Sequence, residues 1–155
     1  MDEQTQHDRP GEHTVEVPLA PLMTQLADSV EDHIAEDARL DIARARSMVL
    51  TQPGAEALAK LTVRLQQHCT TLAPFIERIP ADERPPRGTA ALQNWARLRD
   101  DGPADGPLAN HSYARHLAYA ARDMLDALGE HRSAQRQAAT FVGRTELPPV
   151  HTDAR

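Results

Sequence analysis

The chain alternates between stretches in which apolar side chains recur every three or four residues and short polar stretches rich in proline and glycine. An α-helix turns once in about 3.6 residues, so this recurrence gathers the apolar groups on one face and predicts amphipathic helices. Leu19, Leu22, Met23, Leu26, Val30 and Ile34 keep the rhythm after Pro18 and Pro21, which suit a first helical turn. Asp28, Glu31, Asp32, Glu36 and Asp37 take the other faces, predicting an acidic amphipathic helix over about residues 18–35. A second helix is expected from about Asp37 to Leu50, with a stripe of Ala38, Ile42, Ala45 and Val49 and with Met48 beside it. Thr51-Gln52-Pro53-Gly54 closes it, because proline cannot continue the hydrogen-bond ladder.

The third helix has the clearest pattern. Leu58, Leu61, Leu65, Cys69, Leu72, Ile76 and Ile79 fall at intervals of three or four. Pro74 removes the bond from its own nitrogen to the Thr70 carbonyl, which predicts a bend within a continuing helix. Residues 80–88, with Pro85-Pro86, read as a stiff linker. A short helix from about Thr89 to Arg99 would bury Leu92, Trp95 and Leu98, and residues 100–107 form a loop. The last core helix is expected from about Leu108 to Leu128. Its stripe is Tyr113, Leu117, Ala120, Ala121, Met124, Leu125 and Leu128, with Gly129 as its C-cap.

These elements define an all-α protein, a four- to five-helix bundle with disordered N- and C-terminal tails. Residues 1–17 are read as a disordered acidic arm, 18–131 as the bundle and 132–155 as a polar tail in which Ser133–Ala139 could add helical turns. Composition supports this reading. Of the residues, 40% are apolar, but 25 of them are alanine and only five are aromatic. Such a core suits closely packed helices, and β-branched residues are too scattered for a sheet.

Sixteen arginines stand against a single lysine, Lys60, which reflects coding bias rather than arginine-specific recognition. The net charge of −6 argues against nucleic acid as a partner and against a basic membrane surface. That charge is segregated: residues 1–37 hold ten acids and one base, whereas 38–155 hold thirteen acids and sixteen bases. Cys69 is the lone cysteine, so no internal disulfide forms, and its place on the leucine stripe points to an inert core thiol. The start of the chain has neither the positive charge nor the apolar run of a secretory signal, and no segment is apolar for the roughly 20 residues a membrane span needs. A cytoplasmic location is the expectation.

Three stretches carry a resemblance to a known family: Leu65 to Glu77, Ile79 to Pro85, and Ala91 to Leu98 paired with Tyr113 to Ala118. In order and spacing, residues from about Asp41 to His131 resemble an uncharacterised actinobacterial helical family labelled as associated with natural-product biosynthesis. The sequence departs from the family's pattern in having Trp95 and no cysteine in its fourth helix, and Asp126 to His131 at the last helix end. The resemblance implies an all-helical fold and a biosynthetic or mobile-element setting, and it implies no catalytic residues.

The spacings that would carry chemistry are missing. His111 and His116 are five apart and diverge on a helix, so no metal site is expected. His68 and Cys69 are neighbours and point about 100° apart, out of reach as base and nucleophile. Asp100, Asp101 and Asp105 flank Gly102-Pro103, which bars the helix a magnesium-binding acidic motif requires. No catalytic residue and no cofactor is expected.

The leading expectation is a non-enzymatic accessory or regulatory protein acting through protein–protein contact. Its candidate contact residues are Arg39, Arg44, Arg46, Glu31 and Asp32, the arginines offering a landing site for an acidic partner that includes the chain's own first helix. Homo-oligomerisation through the 58–79 helix is a further expectation. An alternative is a small ligand-binding protein or enzyme with a pocket formed by Trp95, Tyr113, Arg115 and Tyr119. A third is a DNA-associated regulator, kept open by the net +3 of residues 38–155.

Overall fold

The structure, a computed structural model, describes residues 19–106 and 108–142. Four helices follow in order: α1 (Leu19–Thr51), α2 (Ala55–Glu77), α3 (Pro86–Asp101) and α4 (Ala109–Val142). No strand occurs among the described residues. The expected disordered arm, residues 1–17, and the end of the polar tail lie outside them. The chain divides into two compact units, Met1–Asp32 and His33–Arg155. In the first, the described residues are helical, and Leu22, Met23 and Val30 are exposed.

Two expected helices are one: α1 runs unbroken through residues 35–38. Ala35-Glu36-Asp37-Ala38 contains neither glycine nor proline, and Ile34, Ala38 and Ile42 keep one spacing across it. The acidic residues there mark an outer face, not a boundary. The helix stops at Thr51. Gln52 adopts a positive φ of 39° and returns its N–H to the Met48 carbonyl at 2.9 Å. This left-handed C-terminal turn normally uses glycine.

In the second unit, the α1 residues Ala35, Ala38, Ile42, Ala45 and Met48 are buried. Met48, expected beside the stripe, belongs to the core, whereas Val49, expected within it, is 64% exposed. Helices cross at an angle, so the contact face shifts around α1 towards its end, and methionine's long side chain follows it.

All seven apolar positions anticipated on the third predicted helix are buried, from Leu58 to Ile79. This stripe lies within the chain's own core, so any contact between copies has to use other surface. Helix α2 continues past Pro74 to Glu77. Its end is closed by Arg84, whose Nη2 donates to the carbonyls of Glu77 at 3.0 Å and Ile79 at 2.9 Å. A guanidinium here also meets the negative end of the helix dipole.

The expected linker 80–88 already contains the start of α3, with Pro86 in its first turn. Gly88 is buried there because α3 approaches α2 and α4 closely. A Cβ on Gly88 would sit 3.1 Å from Ala127 Cβ and 3.2 Å from Ile76 Cγ2. Helix α4 packs along both α2 and α3. It does not end at Gly129 but runs on to Val142, through much of the expected tail. Gly129 has no positive φ and open space around it, so nothing there enforces a stop.

Candidate functional site

Three features of the second unit bring polar side chains together. The first is a buried carboxylate. Asp41 lies three residues after Ala38 and four before Ala45, on the face that α1 turns to the core, and is 3% exposed. Its Oδ2 accepts from Arg64 Nε at 2.9 Å and lies 3.0 Å from His68 Nε2, while Oδ1 accepts from Arg44 Nη1 at 2.7 Å. Burial pushes the carboxyl pKa up, but the hydrogen bonds from Arg64, His68 and Arg44 outweigh it and hold Asp41 below its ordinary value. An ionised carboxylate only accepts, so this contact is a hydrogen bond donated by His68 Nε2.

A carboxylate that orients an imidazole is the arrangement behind a general base. The adjacent thiol does not complete it. Cys69, the next residue, has its Sγ in the core 3.5 Å from the Leu117 carbonyl, and burial pushes the thiol up to about 12. Among the described residues, no group of three His, Cys, Asp or Glu side chains is placed to hold a metal ion. The Asp41 cluster joins α1 to α2 as a clasp.

The second feature is a groove of about 610 Å³ between α3 and α4. Asn94, Arg97, Leu98 and Asp101 line it from α3, and Ser112, Tyr113, His116 and Tyr119 from α4. The volume falls in the range of small-molecule sites. Of the four residues anticipated around a pocket, Tyr113 and Tyr119 line this groove. The hydroxyl of Tyr113 is already engaged: it donates to the Leu98 carbonyl at 2.9 Å and accepts from Gln66 Nε2 at 3.1 Å. Trp95 is 8% exposed and packs in the core, one residue from Asn94. Arg115 lies on the other side of Tyr119, donating to its hydroxyl at 3.3 Å.

The third feature is a basic cleft between α1 and α4. Ala45, Arg46, Arg115, Ala118 and Tyr119 enclose about 100 Å³ of it. A further 280 Å³ or so is lined by Arg39, Ile42, Ala43, Arg46, Arg122, Leu125 and Asp126. Arg46 borders both parts and makes no hydrogen bond or ion pair among the described residues. Arg122 stacks 5.4 Å from the centre of the Tyr119 ring and pairs with Asp123. The hydrogen bond from Arg115, with the nearby charges of Arg122 and Arg46, lowers the pKa of the exposed Tyr119 phenol.

The anticipated contact residues separate accordingly. Arg39 and Arg46 join this cleft, whereas Arg44 turns to Asp41. Glu31 and Asp32 belong to the first unit. The clasp was missed from sequence, although a charged residue at an apolar position of a stripe is a visible signal.

The sequence of residues 32–133 matches a protein family. The chain belongs to DUF6415, a family of unknown function. The match spans all of α2 and α3, most of α1 from Asp32 and α4 as far as Arg132 and Ser133, so the clasp, the groove and the cleft all lie within the DUF6415 region. No curated protein and no solved structure matches this DUF6415 chain. No helix among its described residues is long and apolar enough to cross a membrane.

Proposed function

We propose that this DUF6415 protein is a non-enzymatic accessory or regulatory protein that acts through protein–protein contact. The observation that carries the reading is the apolar series Leu22, Met23 and Val30, which is 46, 58 and 50% exposed on a helix flanked by Asp28, Glu31 and Asp32. Scattered exposed apolar residues are ordinary, but a series at helical spacing with an acidic surround has the form of a docking helix. The setting we propose is cytoplasmic, in actinobacterial natural-product biosynthesis or on a mobile element. Neighbouring genes for a synthase or a transfer cassette would support it.

The test is crosslinking in native lysate with wild type and with Leu22→Asp/Val30→Asp. A stoichiometric partner captured by the wild type and lost from the variant supports the reading. An unchanged partner set, with helicity intact, removes it.

A second reading, a small-ligand protein, rests on the groove between α3 and α4. Titration of the single tryptophan, Trp95, with pathway metabolites examines it. A saturable fluorescence change abolished by Tyr119→Ala supports it, and a flat response across the panel counts against it.

A further inference from the structure

The two parts of the basic cleft differ in how their charge is answered. The wider part contains Asp126, and its arginines have acidic partners: Arg39 lies 3.8 Å from Glu36 and Arg122 2.7 Å from Asp123. The smaller part has no acid in its lining. Arg46 of α1 and Arg115 and Tyr119 of α4 border it over a floor of Ala45 and Ala118. Both alanines are buried, and their short side chains leave a hollow of about 100 Å³ between the longer arginines. Arg46 makes no hydrogen bond or ion pair among the described residues. Arg115 donates to the neutral Tyr119 hydroxyl at 3.3 Å and has no acidic partner there. The phenol registers the uncompensated charge: the hydrogen bond from Arg115, with the charges of Arg122 and Arg46, lowers its pKa. Its oxygen accepts from Arg115, and its own proton has no acceptor among the described residues.

We propose that Arg46, Arg115 and Tyr119 form a binding site for a phosphate group, either free phosphate or the terminal phosphate of a small monoester. Two uncompensated guanidiniums match a group that carries about −1.5 to −2 charge at neutral pH. Guanidinium forks give paired N–H bonds to phosphate oxygens, and the phenol O–H, polarised by Arg115, supplies one more donor. A phosphate has oxygens enough to meet all three side chains. A carboxylate has two oxygens and a single charge, so it leaves part of the site unanswered. The hollow has the volume of only a few water molecules, so the rest of an ester would extend outside it. A net charge of −6 opposes a long polyanion in its place. The site uses none of Leu22, Met23 and Val30, and it stands or falls independently of the protein–protein reading.

Isothermal titration calorimetry of the full chain at neutral pH tests the site, with inorganic phosphate, methyl phosphate and acetate as probes. Circular dichroism establishes that each variant is folded. Saturable one-to-one binding of phosphate is expected. Arg46→Gln and Arg115→Gln should each weaken it by about tenfold or more, the loss of a charge-assisted hydrogen bond. Tyr119→Phe, which keeps the ring and removes the hydroxyl, should weaken it by about threefold or more. Arg136→Gln, the same loss of charge on the exposed later part of α4, should bind as wild type. Acetate should bind at least about tenfold more weakly than phosphate. Methyl phosphate binding as tightly as inorganic phosphate supports a monoester as the source, and binding of inorganic phosphate alone supports the free ion. No saturable binding of either at millimolar concentration overturns the proposal. So does full affinity in Arg46→Gln and Arg115→Gln, an equal loss in Arg136→Gln, or acetate that binds as tightly as phosphate.

Discussion

Asp41 on α1 and His68 on α2 lie 3.0 Å apart through Oδ2 and Nε2, and Arg64 shares the same carboxylate oxygen at 2.9 Å. The carboxylate is buried, whereas its two arginine partners are largely exposed. Removing one arginine therefore leaves Asp41 with other donors, while removing Asp41 dissolves the whole clasp. Asp41→Ala should lower stability by about 1.5–3 kcal/mol. Arg44→Ala should cost no more than about 1 kcal/mol. Urea unfolding at neutral pH measures both, and equal losses would refute the hierarchy.

The clasp also sets a pH dependence. The pKa of Asp41 in the folded chain lies below its ordinary value of 3.8. A lowered carboxylate pKa stabilises the fold fully above the unfolded value, and that contribution disappears as pH falls through the folded one. The stability of wild type should therefore fall more steeply below pH 3.8 than that of Asp41→Asn. Parallel curves for the two proteins would show that Asp41 is not the group responsible.

Cys69 should be silent to thiol reagents. The thiolate is the reactive form, and a thiol pushed up to about 12 holds almost none of it at neutral pH. Modification is expected only as the chain unfolds, at a rate that follows urea concentration. Prompt labelling of the native protein would mean that the α2 stripe opens.

Two glycines should respond in opposite directions. Gly88→Val should destabilise by about 1–3 kcal/mol, because any side chain there presses on Ala127 and Ile76. Gly129→Ala should stabilise by about 0.5–1 kcal/mol, since Gly129 lies inside α4 with open space at its Cβ position. Thermal midpoints distinguish the two, and a loss at Gly129 would place a chain end or a contact where the structure has neither.

Tyr113→Phe removes one donated and one accepted hydrogen bond that tie α4 to α3 and α2. A cost of about 1–2 kcal/mol is expected. The apolar part of the groove should be unaffected, so any ligand found for it should bind both proteins alike. Loss of binding in Tyr113→Phe would assign the hydroxyl to recognition instead.

Local periodicity was enough to reveal the helices and most of the core, though not the buried Ala35, Ala73, Ala91, Ala114, Ala118 and Ala127. The run Leu58 to Ile79 shows why: a helix repeats its face every few residues, so the neighbours of each leucine along the chain already say which way it points. Boundaries were less legible. At residues 35–38 a change of polarity resembled an end, and at Gly129 a residue type did, yet helix ends depend on what the backbone groups meet beyond the terminus.

The functional surfaces depended on tertiary structure. Asp41 finds Arg64 and His68 at separations of 23 and 27 residues, and Tyr113 finds Gln66 at 47. The basic cleft needs Arg39 and Arg46 from α1 beside Arg115 and Arg122 from α4. Sequence alone determined that this chain would be helical and which side of most helices would be greasy, because both follow from spacing within a few turns. Which charges would meet was decided only when the helices crossed. Crossing angles and approach distances arise from packing between distant segments, including the close contact at Gly88, and no local pattern encodes them.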